Sequence, residues 1–180
     1  GWHFTFRGGG AQSQAEYVWS AVGGWTLDRE YCLGPEGEYA ELRHGATVEP
    51  EYYGKDHLGT PRVTTDGSGA VVALHLYEPF GIEKPLGGGG GADAASHRFT
   101  GHERDEPTGL DYMHARYYAA EWSGRFLSGD PIASWDVAEP QTWNRYVYAR
   151  NAPELRLDPD GRKDQVLFLQ TTPWYQRMTF

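Results

Sequence analysis

Two glycine-centred turns constrain this chain more than anything else in it. Gly34-Pro35-Glu36-Gly37 separates two short segments of Glu30–Leu42, and Asp66-Gly67-Ser68-Gly69 separates Val63-Thr64-Thr65 from Val71–Tyr77. Proline presets one backbone angle of such a turn and glycine supplies the other, while Asp-Gly between β-branched runs is a strong hairpin signal. Both segments are therefore expected to be antiparallel hairpins. Their spacing of roughly thirty residues points to a degenerate repeat in which each unit covers its neighbour's edge. Nearer the start, Trp2, Phe4 and Phe6 alternate with His3 and Thr5 as in an edge strand, and Tyr17 to Trp25 reads as a second strand.

The stretch Arg98–Ile132 holds the densest run of Tyr, Arg and carboxylate. Phe99, Tyr112, Tyr117, Tyr118, Trp122 and Phe126 alternate with charged residues, and Gly101, Gly109, Gly124 and Gly129 mark reversals. Aromatics beside polar residues suit half-buried strands. Spacing alone leaves two readings open: hairpins laced by structural ion pairs, or carboxylates that do chemistry. Gly87–Gly91, within a stretch running to Ala95, reads as a flexible connector, because no strand-then-helix frame or Lys-Ser/Thr pair makes it a phosphate loop. Ser134–Arg150 holds one short helix limited by Pro140, with Asn144–Arg150 read as strand or extended chain. Asp158-Pro159-Asp160-Gly161 makes a tight turn, and a boundary is placed at Gly161, where the composition changes.

Composition narrows the function. A formal charge of −9 opposes a nucleic-acid-binding face, and one cysteine, Cys32, allows no internal disulfide or cysteine-based zinc site. No apolar run approaches the ~20 residues of a membrane span. With Gly1 rather than Met at its start, the chain reads as an excised piece of something longer or a processed product. His97, His102 and His114 lack any metal-binding frame and are expected to hydrogen-bond in turns or across strands, so neither metal nor cofactor is expected.

A longer ordered series of segments resembles the repeat-associated core domain of the bacterial Rhs (YD-repeat) family, whose relatives include insecticidal toxin-complex C components and teneurins. It runs Asp56-His57-Leu58-Gly59-Thr60-Pro61-Arg62, Thr65-Asp66-Gly67-Ser68-Gly69, Tyr77-Glu78-Pro79-Phe80-Gly81, Arg98-Phe99-Thr100-Gly101, Glu103-Arg104-Asp105, Thr108-Gly109-Leu110, Ala115-Arg116-Tyr117-Tyr118, Gly124-Arg125-Phe126-Leu127-Ser128, Asp130-Pro131, Asn144-Arg145-Tyr146, Ala149-Arg150-Asn151 and Asp158-Pro159-Asp160-Gly161. The resemblance implies a mainly β fold, in which antiparallel YD-repeat hairpins form part of a wound β-sheet shell or plug with one or two short helices. It divides the chain into divergent repeat hairpins over 1–51, a core domain over 52–161, and the start of a variable tail over 162–180. The implied partners are the rest of the shell and an enclosed C-terminal toxin, in a larger bacterial protein exported to the cell surface or beyond.

In such relatives the core cuts its own chain just past the Asp-Pro-x-Gly motif, by carboxylate chemistry like that of an aspartic protease. Residue matching makes Asp130 the catalytic candidate, Arg116 its companion and Asp105 the second acid. The cleavage region is Asp158, Pro159, Asp160, Gly161, Arg162 and Lys163, with Asp158 and Asp160 expected as turn formers. Arg162 stands where the family often has Leu, so an apolar pocket would face a charge. The reading from a different class is a non-catalytic surface module that binds carbohydrate or protein through exposed aromatics.

Overall fold

The computed structural model describes residues 2–7, 13–34, 37–84, 95–132 and 135–167. The expected connector Gly87–Gly91, the central turn residues Pro35 and Glu36, and residues 168–180 lie outside them. Strands β1 (Trp2–Arg7), β2 (Ser13–Ser20), β3 (Gly24–Gly34), β4 (Gly37–His44), β5 (Val48–Lys55), β6 (Pro61–Asp66) and β7 (Val71–Leu74) form one seven-stranded sheet in sequence order. Every pair is antiparallel, so both predicted hairpins belong to one continuous meander. The β6–β7 turn closes as its sequence dictates: Asp66 Oδ1 accepts from the Ser68 and Ala70 amides at 2.8 and 2.9 Å. The expected division at 51/52 falls inside β5.

Beside buried Tyr31, Ala40 and Ala73, this sheet buries polar residues and exposes several apolar ones. Glu38, Glu41 and Thr64 are buried, as is His75 just past β7, with Arg43 Nε 2.7 Å from Glu41 Oε1. Phe4, Trp19, Trp25, Tyr52 and Leu74 are exposed. The register pairs Trp19 with Trp25, and the rings of Phe4 and Trp25 lie 6.1 Å apart.

After a short ribbon of β8 (Leu76–Tyr77) and β9 (Glu83–Lys84), the chain builds a second antiparallel sheet from β10 (Glu103–Asp105), β11 (Leu110–Met113), β12 (Arg116–Ala119) and β13 (Arg125–Phe126). The densest Tyr/Arg stretch is thus strand and tight turn, as its pattern predicts. Arg104 and Asp111 sit opposite each other on β10 and β11 and pair in two places, Nε–Oδ1 at 2.6 Å and Nη2–Oδ2 at 3.2 Å. Burial pushes the Asp111 carboxyl up to about 6 despite the Arg104 guanidinium beside it.

The apolar core lies between this sheet and the chain that follows: Phe99, Met113, Tyr118, Ala120, Phe126, Tyr148 and Ala149 form one buried cluster. Tyr118 and Tyr148 approach to 4.8 Å between ring centroids and both pack against Phe99 and Phe126, Tyr118 stacked on Phe99 and edge-on to Phe126, Tyr148 tilted to both. Each such ring contributes roughly 2–3 kcal/mol of burial plus edge-to-face attraction.

One local expectation is corrected and one holds. Asn144–Arg150 forms no strand beyond a single bridge from Val147 to Arg125. Asn144 Oδ1 caps the Tyr146 amide, and Ala149, Arg150 and Asn151 take φ of 47°, 51° and 59° in a 3₁₀ turn, which bends the chain so that Tyr148 enters the core. The helix expected over Ser134–Arg150 is one 3₁₀ turn, Pro140–Trp143, with Pro140 at its start where a missing N–H does no harm. Strands β14 (Arg156–Leu157) and β15 (Gln165–Val166) form a last ribbon around the Asp158–Gly161 turn. Among the described residues no helix is long and apolar enough to cross a membrane.

Candidate functional site

The site is built where the Asp158–Gly161 turn docks on the tip of the β11–β12 hairpin. The Ala115 amide donates to the Asp160 carbonyl at 3.1 Å. Gly161 is required at the contact: its φ is +69°, and a Cβ there would lie 2.0 Å from the Met113 carbonyl oxygen. Behind the turn, His102 accepts from the Thr100 hydroxyl through Nδ1 at 2.9 Å, and its Nε2 donates to the Pro159 carbonyl at 3.3 Å. A carbonyl can only accept, which fixes the Nε2–H tautomer. Burial drives the His102 pKa down to about 4, so the ring is neutral near pH 7.

Arg116, the first residue of β12, is the hub. Its Nη2 lies 2.9 Å from Asp158 Oδ2 and 3.4 Å from Asp130 Oδ2. Its Nε donates to the Gly161 carbonyl at 2.5 Å, and its Nη1 to the Arg145 carbonyl at 3.1 Å. The guanidinium carbon stands 3.5 Å over the Phe126 ring, a cation–π contact that fixes its plane.

Asp158 turns its other oxygen to the chain just past the motif. Oδ1 accepts from the Arg162 amide at 3.0 Å and the Lys163 amide at 3.1 Å, and Asp160 Oδ1 also accepts from the Arg162 amide, at 3.1 Å. The Gly161–Arg162 peptide is therefore gripped at both ends, its carbonyl by a guanidinium and its N–H by carboxylates. Asp158 is buried, and that burial raises its carboxyl above the ordinary carboxylate range, with Arg116 and the two amides offsetting part of the effect. Asp130 is half-buried and reaches the site from the other side: its Oδ1 accepts from the Ile132 amide at 2.8 Å and its own amide donates to the Arg145 carbonyl at 2.9 Å. A cavity of about 150 Å³, lined by Arg116, Asp130, Asp158, Trp143 and Arg145 among others, opens between them. It has room for several waters.

Of the residues singled out from sequence, the fold brings Asp130, Arg116, Asp158, Asp160, Gly161, Arg162 and Lys163 together. Asp105 stands elsewhere, at the end of β10, where its carboxylate accepts from the Thr108 hydroxyl at 2.5 Å; it does not line the cavity. Asp158, expected as a turn former, both shapes the turn and pairs with Arg116. Arg162 and Lys163 are exposed, so no apolar pocket confronts the charge of Arg162. A Cβ at Gly129 would meet the Arg145 guanidinium at ordinary contact distance. Sequence reasoning missed Arg145 and His102 as supports of the site. The only signal for either was its place inside a matching or central segment.

No protein-family model matches the chain. Among curated proteins it is similar to toxin subunit YenC2 of Yersinia entomophaga, 38% identical over 79% of this chain and 16% of that protein. It is also similar to tRNA nuclease WapA of Bacillus subtilis, 30% identical over 76% of this chain and 6% of that one. The chain thus spans a small fraction of the curated relatives it matches. Among solved structures, the Photorhabdus luminescens Tc holotoxin pore matches with a TM-score of 0.59 at 22% identity, over 88% of this chain and 9% of that chain. The antiparallel meander is an Rhs-type β-sheet module of the kind found in toxins. The chain belongs to the Rhs-repeat family.

Proposed function

We propose that this chain is the core segment of an Rhs-type polymorphic toxin, and that it hydrolyses its own Gly161–Arg162 peptide bond to free the chain that follows. One observation carries the reading: a single buried guanidinium contacts Asp130, Asp158 and the Gly161 carbonyl at once. Asp130 takes a proton from a water in the cavity. The water oxygen adds to the Gly161 carbonyl carbon, and Arg116 Nε stabilises the oxyanion that forms. The proton taken by Asp130 passes to the Arg162 nitrogen as the C–N bond breaks, while Asp158 Oδ1, accepting from that N–H at 3.0 Å, holds the leaving amine in place. The products are a carboxyl at Gly161 and an amine at Arg162. Asp158, rather than Asp105, is the second carboxylate, because it touches the peptide. By analogy with YenC2 and WapA, the partners are a larger β-shell and a toxin downstream.

The test is intact mass of the purified chain. Wild type is expected as two fragments, one ending at Gly161 and one beginning at Arg162. Asp130→Asn and Asp158→Asn are expected whole, and Asp105→Asn cut like wild type. A second reading, a non-catalytic surface module, draws on the exposed Phe4, Trp19 and Trp25. It predicts that wild type stays whole.

A further inference from the structure

The chain immediately past the gripped peptide is itself fastened. Asp164 Oδ1 lies 3.0 Å from Arg150 Nε, and its Oδ2 lies 2.5 Å from Arg156 Nη1. Arg150 also pairs with Glu139. One residue on, Gln165 and Val166 pair with Leu157 and Arg156, and the Leu167 amide donates to the Leu155 carbonyl at 2.9 Å. Lys163 is thus suspended between Asp158 on one side and Asp164 on the other. The element that supplies Arg150 takes three consecutive left-handed residues, Ala149, Arg150 and Asn151, none of them glycine. Such backbone is strained and persists where the surroundings over-determine it. Here it aims the Arg150 guanidinium at Asp164 on the wall of the cavity that Arg116, Asp130 and Asp158 share.

We infer that Asp164 is a positioning residue for self-cleavage: clamped by Arg150 and Arg156, it fixes the register of the downstream chain so that the Gly161–Arg162 peptide stays between Arg116 and Asp158. Asp164 touches no reacting atom. It acts through two residues of backbone, tethering the leaving side of the bond, and the inference rests on the self-cleavage reading above. Arg150 stands out in the sequence only within the matching segment Ala149-Arg150-Asn151, and Asp164 not at all, since the pair forms across a turn that only the fold closes.

The experiment follows first-order self-cleavage of the full chain by intact mass, after refolding from urea. Loss of a tether that holds a bond to within an ångström costs on the order of 10²-fold in rate. Asp164→Ala is therefore expected to slow cutting roughly 10- to 100-fold and to spread it over the Gly161–Arg162 and Arg162–Lys163 bonds. Asp164→Glu, which keeps a carboxylate for both arginines, is expected to recover most of the rate. The pH dependence of cutting is expected unchanged in both, as a merely tethering group requires. Urea midpoints of the uncut Asp130→Asn chain, with and without Asp164→Ala, check that the fold survives. Should Asp164→Ala unfold it, Asp164→Asn is compared with Asp164→Glu in its place. Wild-type rate at a single bond in Asp164→Ala, equal slowing by Ala and Glu, or a shifted pH profile overturns the inference while leaving the self-cleavage reading intact. A wild type that stays whole overturns both.

Discussion

Arg116 Nε donates to the carbonyl oxygen of Gly161 at 2.5 Å, joining the start of one strand to a turn 45 residues later in the chain. That bond closes a circuit. The same guanidinium holds Asp158, Asp158 holds the amides of Arg162 and Lys163, and the Ala115 amide holds the Asp160 carbonyl. Four predictions follow from the circuit, from its glycine and from the histidine behind it.

Removing the hub leaves a buried carboxylate without its counter-charge. Arg116→Met is expected to cost about 3–5 kcal/mol, read as a lower urea midpoint. Adding Asp158→Asn to it is expected to restore part of the loss, because the second change removes the stranded charge. An Arg116→Met chain as stable as wild type would contradict a structural role for the pair.

Gly161 answers two demands, a left-handed φ and a contact that leaves no room for a Cβ. Gly161→Ala is expected to lose more than about 2 kcal/mol and to stop self-cleavage, since the turn must lift off Met113. Gly69→Ala is the control: its φ is +85° but nothing lies within 4 Å of a Cβ there. It is expected to cost only about 1–2 kcal/mol and to leave cutting unchanged. Equal effects at the two glycines would contradict the packing argument.

His102 gives the site a pH-dependent support. Its pKa is about 4 in the folded chain against an ordinary 6.5, so between those values the unfolded chain binds the proton and the folded chain does not. Wild type therefore loses stability as pH falls from 6.5 toward 4, by up to about 1.4 kcal/mol per unit. His102→Gln keeps a donor for the Pro159 carbonyl but cannot titrate. The stability difference between wild type and His102→Gln is expected to move against wild type across that interval. Asp111, pushed up by burial, has the opposite slope but is common to both chains and cancels. Parallel profiles would contradict a buried neutral His102.

Much of the fold was legible before any coordinates. Asp66-Gly67-Ser68-Gly69 specified its hairpin because the Asp66 side chain makes the turn by purely local bonds. The Tyr/Arg alternation of Arg98–Ile132 specified half-buried strands for the same local reason. What failed was non-local. Asn144–Arg150 reads as extended, but the left-handed residues Ala149, Arg150 and Asn151 turn the chain inward to seat Tyr148, and of the three only Asn151 is a residue type that favours positive φ. Arg116 and Asp130 were identified through the family resemblance and do meet. Which further carboxylate joins them is not legible in the sequence, because Asp105 and Asp158 both lie beside turns. Only the docking of one turn on the β11–β12 tip separates them, and that depends on the fit of Gly161 against Met113.

Intact mass of the wild-type chain beside Asp130→Asn is the most direct test of the account. Proton transfer from water to Asp130, with Arg116 on the Gly161 carbonyl, predicts a wild-type fragment ending at Gly161, a second beginning at Arg162, and a variant that remains whole. A wild-type chain of undivided mass, or an Asp130→Asn chain cut as fully as wild type, would contradict it.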